Sequence, residues 1–178
     1  MTNLEMHRFE AIDAAFPDLH AEMIDGEVCI ETLVGWAHGR MVVTLLTQLA
    51  AQWCVATKVN TVHDSWQGMT YLRPDLSVAD LSHQGVNHED FPADELALVG
   101  EVVSPSTADK DTRRKVEKYA IAGIPYYLVV NPINRECVLH SLPEDGRDRS
   151  RVVSKFGDPV PIGAPIDTDL DTSALRTY

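Results

Sequence analysis

The chain has 178 residues, 44% of them hydrophobic and 24% charged, with 27 Asp and Glu against 15 Lys and Arg for a formal net charge of −12. A chain of this length fits one domain and buries roughly 70% of its unfolded surface, so its core needs no disulfide or metal staples. The negative balance repels polyanions at long range, which excludes nucleic-acid or anionic-membrane binding over the whole surface while leaving a local site open.

Cys29, Cys54 and Cys137 are far apart and form no CxxC pair, so they read as buried free thiols rather than a disulfide framework or zinc knuckle. The N-terminal MTNLEMHRFEAIDAAF mixes acids into its apolar pattern and lacks the basic n-region of a signal peptide. The best apolar stretch, Met41 to Ala56, is interrupted by Thr44, Thr47, Gln48 and Gln52 and falls short of the ~20 residues that span a bilayer. The expectation is a single soluble, cytoplasmic domain over residues 1–178 with no membrane contact.

Leu4 to Ala15 predicts a short amphipathic helix, with Leu4, Phe9, Ile12 and Phe16 near one stripe and Pro17 ending it. His20 to Ile24 and Glu27 to Leu33 flank Asp25-Gly26, a strong hairpin signal. Met41 to Ala56 returns to helical spacing through Val42, Leu45, Leu46, Leu49 and Trp53. Lys58 to His63 and Gly68 to Val78 are β-rich, and Asp80 to Glu95 reads as a loop without periodicity.

Leu96 to Val103 is a near-continuous apolar run, as in a central strand covered on both faces, and it contains one acid, Glu101. Ser104-Pro105 ends that strand, and Ser106 or Thr107 can cap a helix over 107–122 with Gly123 beyond its end. Ile124 to Val130 predicts another buried strand, followed by Glu136 to Leu142 and Arg151 to Phe156 as hairpin strands. Strand, helix, strand in the middle and hairpins at both ends imply an α/β fold, a central mixed β-sheet flanked by α-helices.

Chemistry concentrates at three places: Arg73-Pro74-Asp75 opening a strand, Glu101 within an apolar one, and Lys115 on the helix after it. A carboxylate in an apolar strand must pair with a cation or bind a metal. Asp75 and Glu101 on adjacent strands supply two oxygen ligands suited to Mg²⁺ or Mn²⁺, and a neighbouring lysine stabilises charge on a phosphoryl oxygen. No GxxxxGK[ST], GxGxxG, GxSxG or SxxK is present, and His63, His83 and His88 lack ligand spacing, so nucleotide-cofactor and hydroxyl-nucleophile enzymes lose support.

Pro74-Asp75 followed by Glu101 resembles the PD-(D/E)XK nuclease signature. The strings Glu22 to Glu27, His38, Arg73-Pro74-Asp75, Glu101 to Thr107, Asp111, Lys115, Tyr119 and Ala122 to Pro132 resemble, in that order, the Uma-two family of restriction-endonuclease-like proteins. The resemblance implies a restriction-endonuclease-like fold, a divalent-metal site at Asp75 and Glu101 with Glu22 as a third carboxylate, and nucleic acid, DNA first, as substrate of a homodimer. The chain departs from the orthodox motif at Val103, where the lysine would stand. Lys115 matches the family's Asp-x-x-x-Lys-x-x-x-Tyr pattern, and the spacing of Asp111, Lys115 and Tyr119 lines all three along one helical face.

Residues 1–100 hold four basic and fifteen acidic residues, whereas five basic residues fall between Lys110 and Lys118. Lys110, Arg113, Arg114 and Lys118 are therefore the candidate phosphate contacts. His38, before the first long helix, reads equally as a capping or packing residue and as a phosphate contact. Bland readings stand beside these: Pro-Asp is common turn chemistry, Lys115 can be a structural partner of Glu101, and Glu22 can be hairpin decoration. The functional alternatives to an endonuclease are a catalytically inactive nuclease fold used for binding or assembly, and a hydrolase of small phosphodiesters.

Overall fold

The computed structural model describes residues 3–16, 20–31, 35–67 and 69–177. After helix α1 (Asn3–Ala15), strands β1 (His20–Ile24) and β2 (Glu27–Glu31) form the hairpin expected at Asp25-Gly26. Both turn residues take positive φ, as that turn demands. The end of the predicted second strand near Leu33, the helix stop at Pro17 and the strand start at Gly68 lie outside the described residues. So does the side chain of Leu4; of the remaining α1 stripe, Phe9 is buried against Tyr71 and Phe16 is exposed.

The second helix, α2 (Trp36–Leu49), starts and ends earlier than the apolar spacing predicts. The chain turns after Leu49 and enters β3 (Cys54–Ala56), which pairs antiparallel with β5 (Leu76–Ala79). Trp53 continues the helical stripe of Val42, Leu45, Leu46 and Leu49, but the helix has already ended at Leu49, and pairing of Cys54–Ala56 with β5 decides for a strand. β4 (Thr61–Val62), between β3 and β5 in the chain, pairs with β6 (Phe91–Pro92) beyond β5, and the predicted loop 80–95 is punctuated by single 3₁₀ turns.

Strand β7 (Leu96–Val102) is buried at every position, as its apolar run requires. A π turn over Lys110–Arg114 and helix α3 (Lys115–Ile121) return the chain to β8 (Tyr126–Asn131), parallel to β7. The helix expected over 107–122 is thus wide at its start, with the Lys115 amide donating to the Lys110 carbonyl. β9 (Glu136–Glu144) and β10 (Arg147–Lys155) form the long hairpin, and β11 (Val160–Ile162) with β12 (Thr168–Leu170) closes the chain.

The main sheet runs β10-β9-β8-β7-β5-β3, mixed because only β7 and β8 are parallel. One face is covered by α2 and the C-terminal segment through Leu45, Leu49, Leu76, Val78, Leu98, Val102, Leu128 and Leu170. The other, carrying Val99, Val103, Tyr127 and Val129, packs against Tyr119, Ala122 and Ile124. No helix among the described residues is long and apolar enough to cross a membrane. Cys29, Cys54 and Cys137 are free, but only Cys137 is fully buried.

Candidate active site

Leu76 of β5 pairs with Gly100 of β7, and extending that antiparallel register by one residue sets Asp75 opposite Glu101. Opposed residues share a face, so the two carboxyls converge on the α3 side of the sheet. Val103 follows on that face too, fully buried in the apolar core, so no lysine could stand there charged without a partner. The cation comes from α3.

Lys115 is fully buried, with its Nζ 2.7 Å from Glu101 Oε1, 2.8 Å from Glu22 Oε2 and 3.5 Å from Asp111 Oδ1. Tyr119 donates its hydroxyl to Glu101 Oε1 at 3.2 Å. The expected helical face of Asp111, Lys115 and Tyr119 therefore does look into the sheet. Lys110 Nζ lies 3.7 Å from Glu22 Oε2, and the π turn explains how two lysines five residues apart reach one carboxylate. Glu22 also accepts the Arg73 amide at 2.8 Å, which ties the N-terminal hairpin to the segment entering Asp75.

Asp75 is held from the other side. His38, buried at the start of α2, places Nε2 3.1 Å from Asp75 Oδ1, Lys58 Nζ lies 2.9 Å from the same oxygen, and the Val102 amide donates to Oδ2 at 2.8 Å. Lys58 carries no motif and was not singled out by sequence. It sits at φ +54, a left-handed conformation fixed by its amide donating to the Pro74 carbonyl at 2.9 Å.

These surroundings push the two carboxyls apart. Burial would raise Asp75, but the His38 hydrogen bond and the Lys58 charge outweigh it and hold the group well below the usual carboxylate range. Glu101 is pushed well up, by burial first and by the nearby acids Asp75, Asp111 and Glu22 next, against the opposing pull of Lys115. Burial would depress the Lys115 ammonium, yet Glu101 and Glu22 hold it above its ordinary value, so it stays charged. Burial raises the Tyr119 and Tyr127 hydroxyls, which remain neutral donors.

The outer cations of the same helix meet the hairpin. Arg114 Nη1 lies 2.8 Å from Glu27 Oε2 and its Nη2 donates to the Ile24 carbonyl at 3.0 Å, while Lys118 pairs with Asp25. Arg113, the most exposed, pairs with Asp109 one turn away at 3.3 Å. Of the four residues expected to face phosphate, three are engaged by hairpin carboxylates in this arrangement. Among the described residues no three His, Cys, Asp or Glu side chains are grouped as metal ligands, because an ammonium occupies the middle of the cluster.

A family model, Uma2, described as "Putative restriction endonuclease", matches residues 5–173. The chain belongs to the Uma2 family. A solved structure from Anabaena variabilis, described as a "putative nuclease belonging to DUF820", aligns with a TM-score of 0.67 over 87% of this Uma2 chain and 88% of that one, at 14% identity. That likeness shows a shared fold, and the restriction-endonuclease-like architecture expected from the sequence is the one observed. No curated protein matches the chain.

Proposed function

We propose that this Uma2 chain is a divalent-metal-dependent endonuclease that hydrolyses phosphodiesters of nucleic acid, with DNA as the first substrate to test. The observation that carries the reading is the convergence of buried Asp75 and Glu101 on one sheet face with Lys115 Nζ 2.7 Å from Glu101. The donors fit Mg²⁺ or Mn²⁺: Asp75, Glu101 and Glu22 offer hard carboxylate oxygens, and Glu101, pushed up by burial and neighbouring acids, is a group that a cation beside it would let ionise. Such an ion, when bound, activates water and neutralises charge on the phosphate.

The chain's own residues do the rest. Asp75 and Glu101 would hold the ion, with His38, Lys58 and the Val102 amide fixing the aspartate's orientation. Lys115, positioned by Glu22 and Glu101, keeps a full positive charge in a dry site where charge builds on the phosphoryl oxygens. Cleavage of supercoiled plasmid in Mn²⁺ tests this directly: Asp75→Asn should abolish it while leaving the melting temperature within a few degrees of the parent. Undiminished cutting by that variant rejects the assignment.

One specific observation favours a second reading, an inactive nuclease fold used for binding or assembly. Both carboxylates are already compensated, Asp75 by Lys58 and His38 and Glu101 by Lys115. Calorimetric titration separates the two. Heat of Mn²⁺ binding that disappears in Asp75→Asn supports the enzyme, and no saturable heat in the parent supports the assembly module.

A further inference from the structure

Two residues beyond Asp75, the same face of the sheet opens into a recess of about 180 Å³ lined by Cys54, Ala56, Ser77, Ala79, His83 and His88, with Phe91 and Leu96 closing it. Its floor follows from the register. Cys54 pairs with Ala79 and Ala56 with Ser77, so four small side chains stand together where neighbouring strands carry large ones. The loop from β5 to β6 supplies a wall of rings: His83 and Phe91 centroids are 4.9 Å apart, and His88 meets Phe91 edge-on at 4.8 Å. His83 is fixed at both nitrogens, Nε2 lying 3.1 Å from Glu95 Oε2 and Nδ1 3.3 Å from His88 Nε2.

Ser77 makes this more than a gap. It is 4% exposed, and its hydroxyl has no hydrogen-bond partner among the described residues, a costly state for a buried donor and acceptor.

We infer that this recess is a subsite for a nucleobase of the substrate, adjacent to the seat of the scissile phosphate; the assignment to substrate rests on the nuclease reading above. The volume is that of about six liquid water molecules, room for one heteroaromatic ring system. A flat ring has apolar faces for the small-residue floor and ring wall, and a polar edge for Ser77. An aliphatic ligand would leave that hydroxyl unpaired, and a sugar would bury more hydroxyls than the site can satisfy.

The spacing agrees as well. Ser77 lies about 7 Å along β5 from Asp75 on the same side of the strand, a separation that one sugar spans between a phosphate and its base. Val59 of the recess follows Lys58, whose Nζ lies on Asp75. The two sites therefore share a wall.

Fluorescence titration of the intact protein with 2-aminopurine riboside, a base analogue quenched on stacking, tests the subsite without requiring cleavage. Parent and Asp75→Asn should give the same saturable quenching. Ala56→Leu, which fills the recess, should weaken it at least tenfold, and Ser77→Ala, which keeps the packing, by about fivefold. Ribose 5-phosphate should not compete. Absence of saturable quenching, or quenching unchanged in Ser77→Ala with a parental melting temperature, overturns the subsite. If the nucleoside binds as expected and the parent cuts no nucleic acid, the nuclease reading falls and the base pocket stands; if the parent cuts but binds no nucleoside, the reverse holds.

Discussion

The two faces of the central sheet are built from the same strands by opposite rules. On the α2 face, Leu76, Val78, Leu98 and Val102 alternate with nothing polar and pack as a hydrocarbon core. On the α3 face, the residues between them include Asp75, Ser77 and Glu101, and four carboxyls there meet three lysines and one histidine. The first face is stabilised by removing apolar area from water. The second is held by mutual charge compensation, which costs desolvation and leaves the cluster intolerant of losing the cation at its centre.

Removing the central ammonium should show that intolerance most strongly. Lys115→Met leaves Glu22, Glu101 and Asp111 without their shared cation and should lower unfolding free energy in urea by about 3 to 5 kcal/mol. The loss should shrink when pH is lowered, since protonated carboxyls no longer need the lysine. The same truncation logic on the apolar face gives a smaller, pH-independent loss. Leu98→Ala, fully buried on the β7 face that α2 covers, should cost about 3 kcal/mol through the cavity it leaves. Equal pH profiles for the two variants would break the contrast between the faces.

A third substitution probes an acid that lacks such compensation. Asp148 on β10 has its carboxyl pushed up to about 6 by burial, with His140 Nδ1 3.8 Å away. Its folded pKa lies above the unfolded 3.8, so its contribution is complete below that pH and is lost as pH rises through about 6. Asp148→Asn should therefore gain on the parent between pH 4 and 8, by about 1 to 2 kcal/mol after solvent screening. The smallest effect belongs to the helix surface. Arg113→Ala should change stability by about 0.3 kcal/mol, as for an exposed one-turn ion pair, yet reduce the salt dependence of nucleic-acid binding if it meets phosphate.

Much of the α3-face chemistry was legible in the residues. Glu101 stood out as the one acid in a continuous apolar strand, and Asp111, Lys115 and Tyr119 fell at helical spacing. The partners of Asp75 were not legible. Lys58 reaches it only because a left-handed backbone turns it toward Pro74, and no local pattern encodes that contact. The basic run from Lys110 to Lys118 read as a phosphate surface, but sequence distance hid the acids of the N-terminal hairpin that dock on it, Glu22, Asp25 and Glu27. The end of α2 differs from the apolar spacing for a related reason: Trp53 sits at helical spacing from Leu49, and only the pairing of Cys54–Ala56 with a distant strand takes the chain out of the helix.

By itself the sequence determined the α/β class, the central strand and its acid, the hairpin at Asp25-Gly26 and the family to which the motifs belong, because these rest on short-range periodicity, turn chemistry and ordered spacing. Tertiary structure alone decided which charges meet. A buried ion cluster is a long-range arrangement, assembled here from a hairpin, a loop, two strands and two helices, and its energy depends on distances of a few ångströms that no single segment specifies.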